Sequence, residues 1–96
     1  MFVLITYDIS TENRAGRRRL RHIAKACEGT GTRVQFSVFE IQADEATWAD
    51  LRGRLLSILD PSEDSVRFYF LGKDGFARSE HHGIKPSLDM EGPLVL

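Results

Sequence analysis

A hydrophobic run from Phe2 to Ile5 stops at Tyr7-Asp8, turns through Ser10-Thr11 and enters an arginine-dense segment between Arg14 and Lys25. A buried strand thereby delivers one carboxylate to its C-terminal end, beside a basic helix. Strand ends in open α/β and α+β sheets hold a polar group firmly where it still reaches a ligand. A carboxylate next to clustered guanidinium groups points to phosphate chemistry. Asp8 is the candidate catalytic residue and the holder of a divalent metal, and the basic residues are candidates for holding a phosphodiester backbone. The competing role for Asp8 is N-cap of the first helix, for which Ser10 and Thr11 are better placed.

The formal net charge of −1 hides a segregation: the Arg14 to Lys25 segment contains six of the 13 Lys and Arg residues and none of the 14 acids. At about 3.6 residues per turn, Arg14, Arg17, Arg18, Arg21 and Lys25 share one helix face, and Leu20, Ile23, Ala24 and Cys27 lie opposite. Most charged helix faces are simply solvated. Five like charges without any acid at i,i+4 repel one another, however, and a polyanion relieves that repulsion, which marks the stripe as a nucleic-acid-binding face.

Other chemistry-bearing residues carry weaker signals. Tyr7, Ser37 and Phe39 are supporting candidates that could orient a ribose or phosphate, although aromatics in strands usually serve a core or an interface. Glu40 at a strand end reads as a second acid or as a solvated or arginine-paired residue. His81 and His82 are adjacent in a stretch that reads as loop, a poor spacing for a metal clamp. Cys27, the only cysteine, rules out an intrachain disulfide and reads as a small core residue.

These residues need elements to position them. Ser10, Thr11 and Asn13 offer caps for the first helix, and Gly29 and Gly31 end it. Arg33 to Ile41 is rich in β-branched and aromatic residues, as one long strand or two short ones broken near Gln35 to Ser37. Asp44 caps a second helix with the apolar stripe Trp48, Leu51, Leu55, Ile58 and Leu59, stopped by Asp60-Pro61. Ser65 to Leu71 is another strand, with Val66, Phe68 and Phe70 on one side. Gly72 to Met90 shows no sustained periodicity and reads as loop-rich, followed by an apolar Leu94-Val95-Leu96 that reads as a short strand on a sheet edge.

This order predicts one α+β domain over residues 1–96, a ferredoxin-like βαββαβ sandwich with an extra C-terminal strand. With Phe39 and Ile41 placed on the same face as Tyr69 and Leu71, away from the helices, the sheet needs a cover there, which predicts a homodimer packing sheet on sheet. No apolar stretch approaches the roughly 20 residues that span a bilayer. Asp8 and Glu12 interrupt the only N-terminal apolar run. The expectation is a cytoplasmic protein without a membrane partner.

Four pieces in order carry a specific resemblance: the strand ending Tyr7-Asp8-Ile9-Ser10, the helix start Gly16-Arg17-Arg18-Arg19-Leu20, the tract Arg33-Val34-Gln35-Phe36-Ser37-Val38-Phe39-Glu40, and Asp64-Ser65-Val66-Arg67-Phe68-Tyr69. Together they resemble CRISPR-associated protein 2, a small component of the spacer-acquisition machinery of antiviral defence. The terminal Glu91-Gly92-Pro93-Leu94-Val95-Leu96 is similar to one of its subtypes. The resemblance implies a ferredoxin-like homodimer with Asp8 near the two-fold axis, facing its symmetry mate across a shared Mg²⁺ or Mn²⁺. It also implies a metal-dependent endonuclease acting on RNA or DNA, or a central dimer that holds spacer DNA between integrase dimers of CRISPR-associated protein 1. Duplex DNA and single-stranded RNA are the nucleic-acid partners in view. The alternative is a stand-alone endoribonuclease resembling the toxin-type ribonucleases of this fold.

Overall fold

The structure, a computed structural model, describes residues 1–72 and 75–84, apart from the side chains of residues 75–77. Along the chain run β1 (Phe2–Asp8), α1 (Arg14–Glu28), β2 (Gly31–Gln35), β3 (Val38–Gln42), α2 (Glu45–Ile58), β4 (Ser65–Gly72) and β5 (Gly75–Gly83). The strands form one sheet in the order β2-β3-β1-β4-β5, antiparallel at every pairing. β1 and β2 are therefore parallel with β3 between them, and β3 and β4 are parallel with β1 between them. These two split βαβ units are the ferredoxin-like arrangement.

Local chemistry sets the boundaries. Asn13 caps α1, its side chain accepting from Gly16 N–H at 2.9 Å, so neither Asp8 nor Ser10 nor Thr11 is the cap. Asp44 caps α2 by accepting from Thr47 N–H at 2.7 Å. That bond holds the Asp44 carboxyl below the usual carboxylate range. The Arg33 to Ile41 tract is two strands, joined by a two-residue turn at Phe36-Ser37 and irregular in register between Arg33 and Gln35.

Register decides which residues make the core. Val3 lies opposite both Ile41 and Phe70, and Ile5 opposite both Phe39 and Phe68. One face of the sheet thus presents these residues with Tyr7 and Val66 to Ile23, Ala26 and Cys27 of α1 and Trp48, Leu51 and Leu55 of α2. Trp48 meets Phe68 and Phe70 edge-on, at centroid separations of 4.9 and 5.7 Å. Burying each such aromatic contributes on the order of 1.5–3 kcal/mol.

Two expectations are corrected here. Phe39 is fully buried on the helix side, whereas Tyr69, opposite Leu4, is on the other face, so these two residues do not share a surface. The alternation within each strand is as expected, but β3 is shifted by one residue relative to β4, and a one-residue slip transfers every side chain to the opposite face. The face away from the helices carries Leu4, Thr6, Asp8, Val38, Glu40, Arg67, Tyr69 and Leu71, and is more polar than expected. Second, Gly75–Gly83 is a strand, not a loop, and extends the sheet beyond β4. Its composition hides this because its helix-side residues are polar and paired: Arg52 Nε of α2 donates to Glu80 at 3.0 Å, and His82 lies 2.6 Å from the same carboxylate. The expected strand at Leu94 to Leu96 lies outside the described residues.

Candidate nucleic-acid interface

Asp8 closes β1 at its C-terminal end, exposed, opposite Ser65 at the start of β4. Among the described residues nothing holds its carboxylate by a hydrogen bond or ion pair. By alternation it shares the outer sheet face with Leu4 and Thr6, not the helix-side core.

The loop that follows is fixed by a second, buried aspartate. Asp64 is fully buried. Its carboxylate accepts from Ser10 N–H at 2.9 Å, from Asp60 N–H at 3.0 Å, and from Arg19 through Nε at 2.7 Å and Nη2 at 3.2 Å. Burial by itself would raise the pKa of this acid, but the Arg19 guanidinium and the two backbone donors outweigh it and hold the carboxyl below its ordinary value. Two glycines permit the close approach. A Cβ on Gly16 would stand 1.8 Å from the Ser10 carbonyl oxygen, and one on Gly83, where φ is 98°, would stand 2.0 Å from that of Asp64. The chain after Asp8, the start of α1 and the end of β5 are locked together at this point.

α1 then presents its charge outward. Arg14, Arg17, Arg18, Arg21 and Lys25 are all exposed. Arg17 Nη1 donates to the Thr11 carbonyl at 3.2 Å, which lays that side chain along the loop after Asp8. No ion pair neutralises any of the five among the described residues. Arg19 differs, half-buried against Asp64 and reaching Glu63 at 3.5 Å. Sequence reasoning gave Asp64 and Arg19 no role. The available signal was helical phase, since Arg19 falls three residues after buried Gly16 and four before buried Ile23, where an arginine needs an acid.

The supporting candidates separate. Tyr7 is buried on the helix side, where its ring stacks with Phe39 at 6.2 Å and its hydroxyl donates to the Phe36 carbonyl at 3.3 Å. Burial, with Cys27 adding to it, pushes the phenol pKa up. Tyr7 N–H donates to the Ser37 carbonyl at 3.1 Å, so the residue before Asp8 clamps the β2–β3 turn by side chain and backbone together. Phe39 has the Arg33 guanidinium 5.1 Å from its ring centre. Tyr7 and Phe39 therefore position the site from within the core, whereas Ser37 sits in the turn next to it. Glu40 is exposed on the outer face, away from the Asp8 end of β1, opposite Leu4. Cys27 is a core residue, its thiol pushed up to about 12 by burial.

His81 and His82 lie in β5 and face opposite sides of the sheet, which prevents a shared metal site. His81, opposite Arg67 on the outer face, has a buried Nε2 without a hydrogen-bond partner among the described residues. Burial, with the Arg67 charge, lowers its pKa. Among the described residues no three potential metal ligands cluster. One chain thus offers Asp8 as a single, uncommitted hard-oxygen donor, which suits Mg²⁺ or Mn²⁺, cations that accept one or two carboxylates and keep water and phosphate oxygens as remaining ligands.

Comparison with known proteins gives a consistent result. The sequence model described as CRISPR associated protein Cas2 matches residues 1–79. A Chlorobaculum tepidum protein named CRISPR-associated endoribonuclease Cas2 is 57% identical over 96 residues, covering 100% of both chains. One from Halalkalibacterium halodurans, named CRISPR-associated endonuclease Cas2, is 47% identical over 95 residues, covering 99% of each. Among solved structures, Streptococcus pyogenes Cas2 at pH 6.5 superposes with a TM-score of 0.70 and 54% identity, over 77% of this chain and 89% of that one.

Proposed function

The chain belongs to the CRISPR-associated protein Cas2 family, and from that premise we propose that it is a homodimeric nucleic-acid-binding protein of CRISPR spacer acquisition, with phosphodiesterase capacity centred on Asp8. The observation that carries this reading is the pairing of an exposed, uncommitted carboxylate at the end of β1 with an unneutralised cationic stripe on α1, both fixed to one rigid loop. Arg14, Arg17, Arg18, Arg21 and Lys25 hold the phosphodiester backbone of a duplex. Side chains spread over a convex helix face reach phosphates without reading base edges, so binding is independent of sequence. In acquisition this dimer holds DNA between integrase dimers of CRISPR-associated protein 1.

The dimer forms through the outer sheet face. Asp8 shares that face with Leu4, Thr6 and Tyr69, and the unpartnered His81 Nε2 lies on it as well, a buried polar atom that a second copy would satisfy. Pairing about a two-fold axis brings two Asp8 carboxylates together. Like charges in one site raise the pKa of one member unless a cation intervenes, so the pair would hold Mg²⁺ or Mn²⁺. When bound, such a cation supplies charge stabilisation for a phosphodiester transition state and a more acidic water. Asp8 holds and orients, the Asp64 node keeps its loop from moving, and the α1 stripe fixes the scissile strand. The endoribonuclease and endonuclease names of the relatives support this cleavage reading.

The test is a pair of assays on Asp8→Asn and on the Arg14, Arg17, Arg18 and Arg21 to alanine variant. Asp8→Asn abolishes Mg²⁺- or Mn²⁺-dependent cleavage and leaves duplex affinity and the dimer unchanged. The arginine variant binds unrelated duplexes more weakly to the same degree, and its dependence of log affinity on log salt flattens by up to about 0.9 per lost contact. Wild-type cleavage by Asp8→Asn would move the active site elsewhere. An unchanged salt slope would reduce the stripe to a solvated face.

A further inference from the structure

The β2–β3 turn presents Phe36 to solvent at 91% exposure, next to Val34 at 43%. A large aromatic left this open forfeits its burial free energy in the isolated chain. Disorder does not account for the exposure, because the turn is held in place by both Tyr7 bonds, hydroxyl to Phe36 carbonyl and amide to Ser37 carbonyl. The residue making those bonds immediately precedes Asp8. Phe36 and Asp8 thus sit at the same end of the sheet on a shared rigid frame.

The surroundings indicate what the ring meets. Phe36 lines a hollow with Arg33, Val34 and Gln35. Arg33 is ion-paired with Glu28 at 3.2 Å. The residues around the hollow thus include an aromatic ring, an aliphatic side chain and an amide, and their one guanidinium is already paired with Glu28. That composition suits a nucleobase rather than a phosphate: aromatic stacking accepts any base, and an amide can hydrogen-bond a base edge. Bases inside a duplex are stacked on one another and closed to such a ring.

We propose that Phe36 is a stacking platform for an unpaired base of a single-stranded nucleic acid whose backbone is held near Asp8. This rests on the phosphodiester-binding reading above and adds a preference for unpaired substrate. A strand passing the β1 end would place one base on Phe36, which fixes the register of the adjoining phosphodiester relative to Asp8. Phe36 is then a positioning contact with substrate, and Tyr7 acts through it by holding the turn.

The experiment uses the full chain in a chelator, which blocks metal-dependent cleavage, with a single-stranded RNA carrying 2-aminopurine at successive positions. Wild type should quench the fluorescence at one or a few positions. Phe36→Ala should lose that quenching and bind about 5- to 150-fold more weakly, the loss associated with one base stack, with an unchanged salt slope. Phe36→Trp should restore both signals, and a fully paired duplex should respond to neither substitution. Undiminished quenching by Phe36→Ala would overturn the proposal. So would a dimer-to-monomer shift of Phe36→Ala in sedimentation, which would make the ring a protein contact. If wild type binds no oligonucleotide and the arginine variant matches it, the phosphodiester-binding reading itself has failed. If that difference persists while Phe36→Ala behaves as wild type, only the stacking inference is lost.

Discussion

Asp8 and Asp64 are the same residue type at neighbouring positions, since Asp64 immediately precedes Ser65, the residue opposite Asp8. Asp64 is fully buried with four donor contacts from three residues. Asp8 is exposed with none among the described residues. A carboxylate that spends its lone pairs on backbone amides and a guanidinium is structural, and its charge is cancelled where it stands. One that keeps them pointing to solvent at a rigid strand end remains free for a ligand. The contrast also explains the rigidity, because the chain connecting Asp8 to α1 is fastened at Ser10 by Asp64.

Removing the buried acid should have the largest effect on folding. Asp64→Ala leaves the half-buried Arg19 with only its looser contact to Glu63 and two backbone donors unsatisfied, and should cost about 3–5 kcal/mol, measured by chemical denaturation. Linkage gives an independent check. The folded carboxyl is held below its ordinary value, whereas in the unfolded chain it titrates at about 3.9. Between those values the unfolded state binds more protons. This contribution is complete above the unfolded pKa and is lost as pH falls through the folded one. Wild type should therefore lose stability through that acidic window, and Asp64→Asn should show a shallower loss.

The same node can be loosened from its backbone side. Gly16→Ala places a Cβ 1.8 Å from the Ser10 carbonyl oxygen, a backbone atom that moves only if the loop does. Overpacking of this kind costs about 1–3 kcal/mol, although alanine is the better helix former. A denaturation midpoint equal to wild type would show that the loop after Asp8 is softer than its hydrogen bonds imply. A lowered midpoint with impaired metal-dependent cleavage would tie the two acids together.

The difference between the acids was half legible in the sequence. Asp8 stands out because an apolar run ends on it and an arginine cluster follows, a local pattern. Asp64 is defined by Ser10 and Arg19, 54 and 45 residues away, contacts that no window around it contains. Asn13 is one of three candidate caps with Ser10 and Thr11, whereas the helices, the cap at Asp44 and the strands β1, β3 and β4 follow from periodicity and local capping. The relative phase of β3 and β4 does not, because it is fixed only when both pair with β1. β5 is hidden for a related reason: Glu80, ion-paired with Arg52, and His82, in contact with the same carboxylate, face the helices in place of an apolar stripe.

The smallest stability change should come from Asp8, the residue proposed to carry the chemistry. Asp8→Asn is nearly isosteric, breaks no hydrogen bond within the described residues and leaves β1 paired with β4 through its backbone. Exposed positions of this kind shift stability by no more than about 0.5 kcal/mol. In the proposed dimer the substitution would also remove the repulsion between two facing carboxylates, which would move the change towards stabilisation when no cation is present. Wild type should therefore gain thermal stability on adding Mg²⁺ or Mn²⁺, whereas Asp8→Asn should be indifferent to either. A variant that loses several kcal/mol without metal would show that Asp8 is structural after all, and would erase its distinction from Asp64.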